Sequence, residues 1–143
     1  MKKITRILQF SLLAMVIASF SPAARAVDSA LEKEMKNINQ NTKALKKSVG
    51  EPAKKTEALA EIGRMIKSAE KAKTLTPKKT AEIPEADRVK FLADFQKQID
   101  VLIAQFKQIE ADLTADKTQE AKADFAQIGG IKREGHEKFA AKE

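Results

Sequence analysis

The sequence predicts an all-α fold, an antiparallel up-down-up-down four-helix bundle, on three observations. Apolar residues recur every three or four positions in four separate stretches, the pattern of a helix that buries one face. Beyond the first 26 residues nothing alternates with the two-residue period of a strand for more than a few positions, and tyrosine and tryptophan are both absent. Two short connections and one longer one join the stretches, and short links favour antiparallel neighbours.

The first stripe is Leu31, Met35, Ile38, Thr42 and Leu45, a helix from about Asp28 to Ser48 that Val49 and Gly50 end. The second, Leu59, Ile62, Ile66 and Ala69, begins after Pro52 and fades near Lys73. Gly63 weakens its middle by about 1 kcal/mol relative to alanine, so this helix is the weakest of the four, and a three-helix bundle with it loosely docked is the alternative. Thr74 to Ala86 carries Pro77 and Pro84 and reads as a long connection outside the packed core. The third stripe, Phe91, Phe95, Ile99, Leu102, Phe106, Ile109 and Leu113, keeps its rhythm longest and belongs in the middle of the core. Asp112 to Lys117 is a polar turn, and Thr118 can cap a last helix with Ala121, Phe125, Ile128, His136 and Phe139 on one side.

Residues 1–26 combine a basic start (Lys2, Lys3, Arg6), an apolar run from about Ile7 to Phe20, and Ala24, Arg25, Ala26, the three parts of a cleavable secretory signal peptide. The run is interrupted by Gln9 and Ser11 and is shorter than the roughly 20 residues of a spanning helix. Residues 27–143 are then a single exported domain, expected in the periplasm and off the membrane once the leader is removed. More than half of the formal net charge of +7 leaves with Lys2, Lys3, Arg6 and Arg25. The remaining lysines are interspersed with carboxylates, without the aromatic interleaving of a nucleic-acid surface, so no nucleic-acid partner is expected.

Cysteine is absent. That removes disulfides, thiol nucleophiles, cysteine zinc sites, iron-sulfur clusters and thioether-attached haem. One histidine, His136, stands near the C-terminus. No hydroxyl-histidine pair offers nucleophilic catalysis, so the chain does not read as an enzyme.

Met35 lies roughly 10 Å along the first helix at 1.5 Å per residue, and His136 lies a similar distance from the end of the last. In an antiparallel bundle the two come to matching heights on facing helices, where bundles build cofactor sites. A thioether and an imidazole there could hold a haem iron. Singly, the methionine reads as a core filler and the histidine as a surface residue; the pairing singles them out. Gly129, Gly130 and Gly135 each weaken the last helix, and either something approaches that backbone closely or the helix end frays.

The segments Leu31-Glu32-x-x-Met35-x-x-Ile38-Asn39-x-Asn41, Phe91-x-x-x-Phe95 and Glu120-Ala121 through His136-x-Lys138-Phe139 together resemble the cytochrome b562 family over nearly the whole mature chain. The resemblance implies non-covalent haem b, Met35 and His136 as axial iron ligands, Ile38, Phe91 and Phe95 beside the haem, and single-electron transfer to an unidentified redox partner protein by a monomer. The last helix is also similar to cytochrome c′ at Phe125-x-x-Ile128-Gly129-Gly130 and His136-x-x-Phe139. Lys132 and Gly135 stand at the positions of that family's haem-attaching cysteines, which excludes covalent attachment and places Lys132 among the residues at the cofactor. Gly135 replaces a bulkier residue of the closer relatives. Two other readings are a haem-free periplasmic bundle serving as a binding or scaffold protein, and a five-coordinate, gas-binding haem protein.

Overall fold

The computed structural model describes residues 22–141, with side-chain environments from Ala30 onward. Four helices follow one another: α1 (Pro22–Ser48), α2 (Lys55–Lys73), α3 (Glu85–Thr114) and α4 (Thr118–Phe139). Short 3-10 segments at Pro52–Lys54 and Lys78–Glu82 interrupt the two connections before α2 and α3. Among the described residues there is no strand, so the fold is the all-α four-helix bundle that the apolar stripes predict. The basic start and apolar run of the expected leader lie outside the described residues.

Within the described residues α1 already runs from Pro22, ahead of the Asp28 expected from the apolar stripe. Ala23, Ala24 and Ala26 suit it there, alanine being the best intrinsic helix former. α3 runs for 30 residues, about 45 Å at the helical rise. It buries Phe95, Ile99, Leu102, Phe106, Ile109 and Leu113. Phe106, with no exposed surface, sits in the one core cluster that all four helices share.

The helices pack in chain order, α1 on α2, α2 on α3 and α3 on α4, whereas α1 and α4 approach closely at few points. α2 is firmly docked, contrary to the loose alternative. Ala58, Ile62, Met65, Ile66 and Ala69 are buried between α1 and α3, Arg64 Nε donates to Asn41 Oδ1 of α1 at 2.8 Å, and Lys73 pairs with Asp100 of α3 at 2.7 Å. Packing of this face against both neighbours outweighs the intrinsic cost of the glycine at position 63. Ser48 Oγ donates to Glu61 Oε2 at 2.6 Å, both groups being buried.

α3 ends in a Schellman turn: Lys117 N–H donates to Asp112 O at 2.8 Å and Asp116 N–H to Leu113 O at 3.2 Å, with Asp116 at φ 60°. Asp112 is therefore a buried member of the helix and not part of a polar turn. Thr118 is the first residue of α4; Lys117 occupies the cap position and no side chain caps the helix, so the capping role expected of Thr118 is not realised.

The connection from Thr74 to Pro84 differs most from expectation. Pro77 and Thr80 are buried in it, and Lys79 Nζ donates to Lys138 O at 2.7 Å near the end of α4. Its own 3-10 turn folds the chain inward, so it closes one end of the bundle instead of lying outside the core.

Candidate functional site

α4 contributes only Ala121, Ile128 and Phe139 to the buried core. Toward its C-terminal end it stands apart from α1, and the space between them is a cavity of about 780 Å³. α3 forms the floor with Phe95, Ile99 and Leu102, and the connection closes one side with Pro77, Lys78 and Glu82. Leu31, Met35 and Asn39 face it from α1; Ile131, Lys132, Gly135 and His136 face it from α4.

Met35 and His136, 101 positions apart in the numbering, thus line one space. Met35 is half-buried and His136 exposed. The inward orientation expected of His136 holds only partly: it follows Phe125 by eleven residues, about three turns, on a face where Phe125 is itself only half-buried. The imidazole stands at the edge of the cavity with one side open to solvent.

Phe95 is 5% exposed and lines the cavity. Phe91 does not. Its ring lies edge-on to Phe139, centroids 5.3 Å apart, and Phe139 lies edge-on to Phe95 at 5.5 Å. Phe139 stands between the site and Phe91, which faces a neighbouring shallow depression with Lys97 and Val101. Ile38 has no exposed surface and belongs to the central core, outside the cavity lining. It lies three residues past Met35 and joins the core cluster that Met35 packs against.

Lys132 is half-buried and crosses the gap, its Nζ donating to Asn39 Oδ1 of α1. Burial lowers its ammonium pKa below the ordinary lysine value, and repulsion from Lys43 acts in the same direction. Gln98 Nε2 donates to Ile131 O at 3.2 Å and ties the floor to α4. A Cβ on Gly135 would lie 3.3 Å from Gln98 Cγ, whereas Gly129 and Gly130 have nothing within 4 Å of such an atom. Close approach thus explains Gly135 alone, and α4 runs through the other two unbroken.

The connection residues, Gln98 and Ile131 have no separate signal in the sequence; Asn39 does, inside the first of the segments quoted above. Chemically the cavity offers an apolar floor, one thioether, one imidazole and a cationic edge. Its volume lies within the roughly 300–1,000 Å³ of cofactor and ligand pockets. Among the described residues no three His, Cys, Asp or Glu side chains converge, so a bare metal ion has no protein cage here. Iron held by a porphyrin's own nitrogens would need only the two axial donors, and this arrangement fits that group.

Among the described residues no helix is long and apolar enough to cross a membrane. No curated protein matches the chain. The family model of cytochrome b562 matches residues 30–140, a span that includes both Met35 and His136. With that match across most of its length and a four-helix bundle beneath it, the chain belongs to the cytochrome b562 family, electron carriers that bind haem b without a covalent link.

Proposed function

We propose that the chain is an exported, monomeric haem b protein that carries single electrons in the periplasm, with the iron held between Met35 sulfur and His136 imidazole nitrogen. The observation that carries this reading is that the thioether and the imidazole, from opposite ends of the chain, line one cavity. When bound, the group would supply reversible one-electron exchange at its iron. Met35 offers a soft sulfur that favours the reduced metal, and two protein donors leave no open position for oxygen chemistry. Phe95, Ile99 and Leu102 keep water from the floor, which acts on the potential in the same direction. Ile38 and Phe91 contribute indirectly, one through the core behind Met35 and the other by bracing Phe139. The exposed side of His136 gives a redox partner protein its shortest approach. Export rests on residues 1–26 as a leader cleaved after Ala26.

Titration of the purified chain with haemin tests the proposal. A sharp Soret band is expected, altered in His136→Ala and in Met35→Ala; identical spectra in both variants would defeat the ligand pair. Tight carbon monoxide binding by the reduced wild-type protein would instead support five-coordinate iron.

A further inference from the structure

The cavity has more positive than negative charge around it. Lys36, Lys78, Lys132 and Arg133 line it against Glu32 and Glu82. Three of those four cations are exposed; Lys132 alone is half-buried. Its ammonium group has a neutral amide oxygen as partner, that of Asn39, while Lys43 repels it, and no ion pair among the described residues includes it. An ammonium group removed from water without a counter-ion is costly, and an arriving anion relieves the cost.

From the cationic edge above an apolar floor, we propose that Lys132 binds a ring carboxylate of the ligand, so that the cavity recognises acidic porphyrins by charge as well as by axial ligation and accepts a metal-free one. This rests on the cavity being the porphyrin site argued above, but it does not depend on iron. A carboxylate replaces the Asn39 amide as the partner of Lys132, and the charge-assisted bond is stronger than the one it displaces. The lysine that bridges α1 and α4 in this structure thereby turns to the ligand.

The test uses the haem-free chain with two probes, metal-free protoporphyrin and its dimethyl ester, which has the same ring and no carboxylates, with binding followed by fluorescence. The wild-type protein is expected to bind the diacid about tenfold more tightly than the ester. Lys132→Gln should lose roughly that factor for the diacid alone, and Lys132→Arg should restore it. Equal affinity for the two probes in the wild-type protein, absence of diacid binding, or equal losses for both probes in Lys132→Gln would overturn the proposal. Should Lys132→Gln lose helicity, the wild-type comparison of diacid with ester decides. Because neither probe carries iron, failure here leaves the Met35 and His136 assignment standing, and haemin spectra judge that separately.

Discussion

Replacing Gly129 and Gly130 by alanine should stabilise the protein. Both are exposed in the interior of α4, and a Cβ at either meets nothing within 4 Å. Glycine in a helix interior costs about 1 kcal/mol relative to alanine, because it has more backbone freedom to lose. Adjacent helical positions do not face each other, so the two gains should add to about 2 kcal/mol. For a domain of this size that corresponds to a rise in Tm of roughly 5 to 10 °C. Thermal unfolding of the haem-free double variant, followed by circular dichroism at 222 nm, measures it; Gly63→Ala, equally free of neighbours, serves as an independent repeat on α2 worth about half as much. A Tm that stays put or falls would refute the reasoning, since it would mean that something occupies the space along that stretch of α4.

Three further outcomes follow from the geometry. Ser48→Ala removes the donor that satisfies the buried Glu61 carboxylate and should cost about 1–3 kcal/mol in urea unfolding; a loss below about 0.5 kcal/mol would show that the carboxylate finds another partner. Asp124 has its carboxyl pKa raised above the ordinary 3.8, first by burial and then by a hydrogen bond and repulsion from Asp112. A carboxyl whose folded-state pKa exceeds its unfolded value takes stability away as pH rises through the folded value. Asp124→Asn should therefore raise Tm at pH 7 and have no such effect below the unfolded value of 3.8; an unchanged Tm at pH 7 would contradict the assigned repulsion. Finally, acid competes with iron for imidazole, which must be neutral to ligate. The haem spectrum should be lost on acidification, and an unaltered spectrum at about pH 3 would count against histidine ligation.

The parts of this fold that were legible in the sequence are those where one residue type does one thing. The third stripe became α3 with every member but Phe91 buried, because a helix through the middle of a bundle has neighbours along its length. Met35 and His136 could be brought to one end from antiparallel topology alone. Phe91 and Phe95 lie one turn apart on α3, and no periodicity tells which of them meets the cavity; Phe139, from another helix, decides it by standing between them. The inward course of the connection is not legible in the sequence, because its prolines and lysines have the composition of an exterior loop, while the burial of Pro77 and Thr80 depends on where α4 ends. The turn after α3 offered no glycine as a signal, since Asp116 adopts the left-handed conformation itself. Lys132 could be placed near the cofactor by resemblance, yet its lack of a carboxylate partner is visible only once α1 and α4 are side by side.

Iron X-ray absorption on the haem-loaded chain, in the wild type and in Met35→Ala, bears most directly on the ligand pair. One sulfur and one imidazole in the wild-type iron shell, with the sulfur gone in the variant, is the predicted result. A wild-type iron with no sulfur neighbour would contradict it.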